Sequence, residues 1–377
     1  MSPTGRAAVF FGAGRPIEVT EYPVPEPEPG ALLVRLDYTS VCGSDVHYWK
    51  GEDPVVEQLA GAGLVLGHET VGRVARLGAG VETDARGAPL RVGDPVVFAY
   101  FWPCGRCRAC HFGRPHTCAQ ALHTLLRSPK DPPHFTGAFA DYYHLRPGQY
   151  VLRLPEGMET SDAIGANCAV AQTTFALRRA DLRPGERVVV QGSGGLGLYA
   201  IAAAKRMGAE MVVAIDTSAE RLEAARALGA DRTVDVTEVI DRAERIERVK
   251  ELTDGGGDLV LEVAGVRGVV SEGVRMVQRG GRYVEVGQIV HGGDRIEMPA
   301  LALVTRNLSL LGVALYDPGV LDEVVDMLFE LRGNPTLARL TSSRRYPLER
   351  LEEAFAGGDG AAGAARPVID LRDGGTQ

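Results

Sequence analysis

The sequence has no long apolar run. No segment reaches the roughly 18 consecutive apolar residues of a membrane-spanning helix, and the N-terminal segment 1–16 lacks the apolar stretch of a secretory signal. An excess of positive charge is also missing, since the net charge is −8. These absences predict a cytoplasmic protein that binds neither nucleic acid nor a membrane surface.

Cysteine is scarce as well, with six residues among 377. In an intracellular chain, such cysteines more often bind metal or react than form disulfides. Two of them stand alone, at Cys42 and Cys168. The other four lie within one 15-residue segment and are Cys104, Cys107, Cys110 and Cys118.

The four clustered cysteines have the spacing Cys-x2-Cys-x2-Cys-x7-Cys. Thiolates this close in sequence suit a closed tetrahedral metal site, with no ligand position left for water or substrate. An iron–sulfur cluster uses the same ligands, but nothing else in the sequence indicates electron transfer. We therefore predict a structural zinc site that clamps a loop and takes no part in the chemistry.

The chain is longer than a single hydrophobic core usually allows, which predicts two domains. Up to about residue 155, short β-branched runs alternate with Gly and Pro, which is typical of an all-β domain. From about residue 185, strand and helix patterns alternate. This alternation predicts a doubly wound parallel sheet, so the expected fold class is α/β with a separate β-rich domain.

The segment VVVQGSGGLGLYA contains a glycine-rich turn, which runs from Gly192 through Gly194, Gly195 and Leu196 to Gly197. The turn follows a predicted strand and opens a predicted helix, and this context is typical of a dinucleotide-binding turn. The first glycine permits the tight turn, and the second lets the backbone approach a pyrophosphate. The third permits close packing of helix against strand.

A carboxylate follows the turn at the end of the next predicted strand. Asp216 lies 24 residues after Gly192, close to the spacing at which an acidic residue binds the ribose 2′-hydroxyl. A carboxylate there repels a 2′-phosphate, which favours NAD over NADP. Arg221 is within reach of a 2′-phosphate in principle, with a solvated helix charge as the alternative.

Three isolated residues indicate a function only when they are considered together: Cys42, His68 and Cys168. A lone cysteine is usually a small buried hydrophobe, and a lone histidine after an apolar run is usually part of the core. Together the three supply two thiolates and one imidazole. This donor set suits a catalytic zinc ion that keeps its fourth position for water or substrate.

These motifs occur together and in a fixed order: CGSDVH, GHE, the four clustered cysteines, GANCAV and GSGGLG. In this set and order the chain resembles a zinc-dependent member of the medium-chain dehydrogenase/reductase superfamily, the alcohol and polyol dehydrogenase group, over nearly its whole length. The resemblance implies a GroES-like catalytic domain built from residues 1–165 and 313–377. It also implies a Rossmann NAD-binding domain over residues 166–312.

The resemblance further implies two zinc ions per chain. One would be a catalytic zinc on Cys42, His68 and Cys168, with Glu69 as a transient ligand, and Asp45 would orient the zinc-bound histidine. The other would be a structural zinc on Cys104, Cys107, Cys110 and Cys118.

Further residues match the family's proton relay and cofactor contacts. Ser44 and His47 correspond to the relay that carries the alcohol proton to solvent. Leu196 is a candidate to pack behind the nicotinamide ring, with an ordinary core residue as the alternative. Arg366 sits where the family often places a basic contact to the cofactor phosphates.

The implied activity is NAD-linked interconversion of a small-molecule alcohol with an aldehyde or ketone, by a homodimer or homotetramer. CGSDVHYW resembles polyol (sorbitol-type) dehydrogenases, but Asn167-Cys168 replaces the Glu-Pro pair usual in that group. This departure favours an alcohol dehydrogenase acting on bulkier secondary or cyclic alcohols, with a polyol dehydrogenase as the alternative. A non-catalytic relative would normally lack some of the zinc ligands or relay residues, all of which are present.

Overall fold

The computed structural model describes residues 3–123, 125–288, 300–342, 344–358 and 365–372. The chain divides into two compact units. The first contains the residues up to Cys168 and those from Asp317 onward, and the second runs from Ala169 to Tyr316. Within the described residues, no helix is both long and apolar enough to span a membrane.

The N-terminal part of the first unit is mostly β-structure with long loops. Short 3-10 turns at Pro115–Thr117 and Thr160–Ala163 and a single π-helical turn at Ala166–Val170 interrupt the loops. The helices and strands are β1 (Thr4–Phe10), β2 (Glu18–Pro23), β3 (Leu32–Ser40), α1 (Gly43–Trp49), α2 (Pro54–Ala60), β4 (Leu64–Val65), β5 (Glu69–Leu77), β6 (Pro95–Phe98), α3 (Arg108–His111), β7 (Tyr142–Leu145) and β8 (Val151–Arg153).

The second unit alternates strands with helices. Its elements are α4 (Ala171–Arg179), β9 (Arg187–Gln191), α5 (Gly195–Arg206), β10 (Met211–Asp216), α6 (Ala219–Ala227), β11 (Arg232–Asp235), α7 (Arg242–Leu252), β12 (Gly257–Glu262), α8 (Val269–Met276), β13 (Val277–Glu285), α9 (Ala300–Thr305) and β14 (Ser309–Gly312).

The sheet of the second unit is parallel and has the order β11-β10-β9-β12-β13-β14. Counted along the chain, this is the order 3-2-1-4-5-6 of the doubly wound dinucleotide fold. The central strands are runs of Val and Ile buried on both faces, as expected for parallel strands covered by helices. The predicted α/β fold class is confirmed.

The chain then returns to the first unit and completes its main sheet. The returning elements are α10 (Val320–Leu331), α11 (Pro335–Ser342), β15 (Arg345–Tyr346), α12 (Leu351–Gly358) and β16 (Val368–Asp370). Strand β16 pairs antiparallel with β3. The sheet order is β15-β16-β3-β5-β6-β8, with β7 also paired to β3, and a smaller sheet has the order β2-β1-β4.

Strand β3 lies at the centre of the main sheet of the first unit, because it has paired strands along both of its edges. It is buried along almost its whole length and pairs with β5, β7 and β16. Strand β5 approaches it so closely that a Cβ at Gly72 would lie 2.1 Å from the Arg35 carbonyl oxygen. The carboxyl end of β3 and the amino end of β5 therefore lie side by side, with Ser40 opposite Glu69.

Candidate metal and dinucleotide sites

Cys42, His68 and Cys168 converge in the first unit. All three are buried, and their ligand atoms lie within 4.8 Å of one another. The two sulfur atoms are 3.9 Å apart. Tetrahedral zinc with Zn–S bonds of about 2.3 Å would hold two sulfurs about 3.8 Å apart. The donor set therefore fits a zinc ion with three protein ligands.

Each of these ligands is held by local backbone structure. Cys42 is the N-cap of α1, immediately after β3, and its N–H donates to Asp45 Oδ2 at 3.0 Å. Cys168 lies in the π-helical turn, a feature that is frequent at functional sites. His68 follows Gly67, whose φ is +88°. A Cβ at Gly67 would also lie 2.9 Å from the Phe139 backbone nitrogen, so only glycine fits there.

Asp45 lies behind the histidine ligand. Its Oδ1 is 3.4 Å from His68 Nδ1 and accepts the Gly67 N–H at 3.2 Å. With 1% of its surface exposed, the carboxylate is fixed in place by backbone donors. A carboxylate at Nδ1 orients the imidazole and leaves Nε2 for a metal. The structure thus places Asp45 where its predicted role requires.

The ionisable groups of the cluster shift one another's pKa values in different directions. A hydrogen bond from Cys168 lowers the pKa of Cys42 well below its usual range, against the effect of burial. The same bond, together with burial, raises the pKa of Cys168. Burial lowers the pKa of His68, but the charges of Asp45 and Cys42 outweigh it and leave the pKa raised.

Arg366, predicted to contact the cofactor phosphates, pairs with a buried carboxylate in this structure. Its guanidinium is almost fully buried and donates to Glu69 Oε1, which also accepts the Ser40 hydroxyl. Burial opposes the charged form of Arg366, yet the Glu69 carboxylate raises the pKa of the guanidinium. This ion pair uses the Nη1 group of Arg366, and a guanidinium has five N–H donors in all, so the cofactor-phosphate contact of Arg366 stays a prediction.

Glu69 is held near the cluster by this pairing. Its Oε1 is occupied, while Oε2 is buried and has no hydrogen-bond partner within the part of the chain that the structure describes. Asn167, fully buried, fixes the backbone on either side of Glu69: its Nδ2 donates to the His68 carbonyl at 3.0 Å, and its Oδ1 accepts the Thr70 N–H at 3.1 Å. The sequence analysis assigned no role to Ser40 or Asn167, although each lies beside a predicted ligand.

Ser44 and His47 lie on the same face of α1, because they are three residues apart. Both are partly exposed. His47 is in the last turn of the helix, and its Nδ1 is 2.5 Å from Glu52 Oε2. The helix thus leads from the buried cluster at Cys42 to a histidine at the surface.

The four clustered cysteines also converge, as the second metal-ligand group in the described residues. The Cys107 sulfur is 3.5 Å from that of Cys110 and 3.8 Å from that of Cys118, and the four ligand atoms lie within 4.8 Å of one another. Backbone donors, that of Arg106 foremost, lower the pKa of Cys104 to about 6. These sulfur separations match the roughly 3.8 Å of tetrahedral zinc thiolates.

The glycine-rich turn of the second unit is shaped for a ligand. Gly192 has φ +94°, and a Cβ at Gly197 would lie 1.8 Å from the Gly192 carbonyl oxygen. A Cβ at Gly194 would meet nothing within 4 Å, so this side of the turn is open. Gly195 and Leu196 begin α5, and Leu196 is only partly buried. The N-terminus of α5 therefore offers free N–H groups and an open approach to a pyrophosphate.

Asp216 ends β10 beside this turn. Its Oδ2 accepts the Ser193 N–H at 2.7 Å, and its Oδ1 accepts the Ser218 N–H at 2.9 Å. Arg221, on α6, has its Nη1 at 3.8 Å from Asp216 Oδ1. The structure thus brings together the turn and the two residues predicted to select between NAD and NADP.

The neighbouring strands β12 and β13 each end in a carboxyl group, at Glu262 and Glu285. Glu262 lies opposite Glu285 in the parallel register and has no exposed surface. Its Oε1 accepts the N–H groups of Ala264 and Gly265 at 2.7 and 2.8 Å. Burial, with the adjacent Glu285 carboxylate, raises the pKa of Glu262 to about 8. Burial and the neighbouring carboxylate thus favour the protonated form of Glu262.

We expect Glu262→Gln to stabilise the protein increasingly as pH rises. The raised pKa means that the wild-type carboxyl contributes stability below pH ~4.5, which is lost as pH rises through about 8. Glutamine stays neutral and can still donate to Glu285, so the gain in Tm should be near zero at pH 5 and about 5 °C at pH 8. Thermal unfolding at several pH values measures this, with the exposed Glu251→Gln as control. A gain independent of pH would contradict the assignment.

A dinucleotide fold joined in one chain to a buried Cys2His cluster defines a class: metal- and nicotinamide-dependent oxidoreductases. Two family models match the chain, the alcohol dehydrogenase GroES-like domain over residues 28–156 and the zinc-binding dehydrogenase domain over residues 195–330. The chain belongs to the zinc-containing alcohol dehydrogenase group of the medium-chain dehydrogenase/reductase superfamily. It is an oxidoreductase that acts on CH–OH donors.

Relatives and solved structures agree with this membership. The chain is 32% identical to the 5-exo-hydroxycamphor dehydrogenase of Pseudomonas putida, over 97% of this chain and 98% of the relative. It is 31% identical to the D-xylulose reductase A of Aspergillus niger over 80% of each chain. The crystal structure of an alcohol dehydrogenase from Thermotoga maritima is similar with a TM-score of 0.87 and 28% identity, over 97% of this chain and 99% of that one.

Proposed function

We propose that this chain is an NAD-dependent dehydrogenase with two zinc ions, which interconverts a bulky secondary or cyclic alcohol and its ketone. The observation that supports it most is the buried Cys42–His68–Cys168 cluster, with its 3.9 Å sulfur separation and Asp45 behind the imidazole. A buried three-ligand set of this kind is what a catalytic zinc requires, whereas the four-cysteine cluster is closed and structural.

Cys42, His68 and Cys168 would hold the catalytic zinc, and Cys104, Cys107, Cys110 and Cys118 the structural one. When bound, zinc supplies a Lewis acid at the substrate oxygen and NAD supplies the hydride acceptor. Asp45 keeps the His68 ring in its ligand orientation. Ser44 accepts the proton of the substrate hydroxyl, and His47 delivers it to solvent from the surface end of α1.

Glu69 and Arg366 act on the charge of this site. Two thiolates and an imidazole neutralise a zinc ion, so a third anion in the cluster would weaken its Lewis acidity. The Arg366 guanidinium balances the Glu69 carboxylate and draws its Oε1 into an ion pair. Glu69 Oε2 remains the atom available for transient ligation.

The preference for NAD rests on Asp216. The carboxylate is anchored by two backbone N–H groups at the end of β10, so its charge cannot move away from a 2′-phosphate. Its remaining lone pairs can accept a hydrogen bond from a ribose 2′-hydroxyl. Arg221 Nη1 lies 3.8 Å from Asp216 Oδ1 and neutralises part of this charge, which reduces the size of the preference.

The preference for a bulky or cyclic substrate rests on two observations. The relative aligned over 97% of this chain is a hydroxycamphor dehydrogenase. The ring of Tyr100 also lies 4.7 Å from that of His68, which supplies apolar surface next to the proposed metal site. The competing function is polyol oxidation, favoured by similarity to D-xylulose reductase A.

Metal content and a substrate panel test the proposal together. The purified chain is expected to contain two zinc ions and to oxidise cyclic secondary alcohols with a higher kcat/KM than xylitol or sorbitol, and with NAD better than with NADP. Higher kcat/KM for the polyols would establish the competing function. A protein with both zinc ions and no turnover of any alcohol would contradict catalysis.

We further propose a cytoplasmic homodimer or homotetramer. All six cysteines are free, as a reducing compartment allows. Leu301 and Val304 on α9 are 72% and 70% exposed, and Leu310 on the edge strand β14 is 37% exposed. Exposed apolar side chains beside a sheet edge are typical of a surface that pairs with another subunit.

A further inference from the structure

His47 has a carboxylate partner that the proposed relay does not include. The Nδ1 atom of its ring lies 2.5 Å from Glu52 Oε2. Both side chains are partly exposed, at 36% and 44% of their surface. An exposed ion pair contributes little to stability. The contact with Glu52 therefore matters for the protonation of the His47 ring and not for the stability of the fold.

The backbone holds Glu52 in this position. After α1 the chain reverses through Gly51, whose φ is +73°, and the Glu52 N–H donates to the His47 carbonyl at 3.0 Å. Asp53, the next residue, caps α2 by accepting the N–H groups of Val55 and Val56 at 2.9 Å. The backbone of Glu52 thus lies between the end of one helix and the capped start of the next, within reach of the His47 ring.

A carboxylate at Nδ1 decides which ring nitrogen can accept a proton. Ionised carboxylates only accept hydrogen bonds, so the Nδ1 atom must carry the hydrogen. In neutral histidine the other nitrogen, Nε2, then has a free lone pair. We propose that Glu52 is a positioning residue that holds His47 as the Nδ1–H tautomer, with Nε2 as the proton acceptor during alcohol oxidation. This inference rests on the proposed function, because it assigns a partner to the relay.

The tautomer can be observed without any turnover. In the protein labelled with 15N-histidine, long-range N–H correlation spectra at pH 8.5 distinguish Nδ1–H from Nε2–H rings, and His47→Gln identifies the His47 signals. We expect the Nδ1–H pattern in the wild type and its loss in Glu52→Ala. A wild-type Nε2–H pattern, or an Nδ1–H pattern that survives in Glu52→Ala, would overturn the proposal.

The chain offers a matched control in a second Glu–His pair. Glu28 Oε2 lies 2.8 Å from His144 Nε2, outside the proposed relay. Glu28→Ala removes the same kind of contact and should change the His144 signals while leaving those of His47 unchanged. A change at His47 in Glu28→Ala would show that the spectra report general perturbation and would overturn the assignment.

Kinetics provide the functional readout. Glu52→Ala should lower kcat for alcohol oxidation about 10-fold with less than about a twofold change in KM, because it affects proton transfer and not substrate binding. Added imidazole buffer should restore part of the loss. Glu52→Gln keeps an acceptor oxygen and should retain more activity than Glu52→Ala.

These outcomes separate the inference from the proposed function. Unchanged kcat in Glu52→Ala, or equal losses in the Ala and Gln variants, would overturn the role of Glu52 while leaving the dehydrogenase proposal intact. A wild-type protein that turns over no alcohol would refute the proposed function instead, whatever the tautomer spectra show.

Discussion

Cys42→Ser is expected to give a folded protein that binds one zinc ion instead of two and oxidises alcohols about 10³-fold more slowly. A serine hydroxyl is a far poorer zinc ligand than a thiolate, and Cys42 is one of three protein donors in the cluster. Loss of a Lewis acid removes several kcal/mol of transition-state stabilisation, which corresponds to this factor.

The fold should survive because the Cys42 side chain is not what starts α1. Its backbone N–H, donated to Asp45 Oδ2 at 3.0 Å, closes the first turn, and serine retains that group. Serine is also a favourable N-cap residue. Zinc content, circular dichroism and kcat measured on the same preparation separate loss of metal from loss of fold. Two bound zinc ions with wild-type turnover would refute the catalytic assignment of Cys42.

Cys168→Ser provides the matched comparison within the cluster. Its sulfur lies 3.9 Å from that of Cys42, and both residues are buried, so the same loss of zinc and turnover is expected. The two variants differ in local structure, since Cys168 sits in a π-helical turn and Cys42 at a helix N-cap. If both variants lose zinc and turnover to the same extent, the cause is the metal that the two residues share and not the local backbone structure of either residue.

The parts of this structure that follow from local sequence could be predicted. The glycine-rich turn was predictable because Gly192 and Gly197 are required sterically: one has a positive φ, and the other meets a carbonyl oxygen. The alternation of buried strands and helices likewise reflects short-range patterns of hydrophobic residues. The chain divides into compact units after residues 168 and 316, while the domain boundaries after residues 165 and 312 stay a prediction.

The partners of charged side chains could not be predicted in this way. Arg366 pairs with Glu69 across 297 residues, and the pairing depends on β16 lying beside β3. The family resemblance implies a phosphate contact for Arg366, which stays a prediction, but it does not indicate the pairing with Glu69. Only the sheet order shows that the guanidinium faces a buried carboxylate.

Three further carboxylates illustrate the same limit. Glu262 and Glu285 become neighbours through the parallel register of β12 and β13, which no local pattern specifies. Glu52 is close to His47 in sequence, but its contact depends on the reversal of the chain at Gly51. Sequence motifs thus predicted candidate ligands that converge in the structure, whereas the charged residues paired around them required the tertiary structure.

Cys110→Ser is also expected to lose one zinc ion, but unlike Cys42→Ser it should lose stability and retain the chemical step. The segment 104–118 has little else to hold it. Its helix α3 has four residues, none of them buried, and is followed by a short 3-10 turn. Where side chains bury so little surface, a bound metal would supply the free energy that orders the segment.

For Cys110→Ser we expect a Tm lowered by about 10 °C and faster proteolytic cleavage within residues 104–118. Below its Tm, kcat should stay within about threefold of wild type, because Cys42, His68 and Cys168 keep the other zinc. His111→Ala changes the next residue of α3, which is exposed and outside the cluster, and should leave Tm and zinc content unchanged. A Cys110→Ser protein with one zinc and unaltered Tm would show that the cluster does not stabilise the fold, and a large loss of kcat at full folding would show that it serves the reaction.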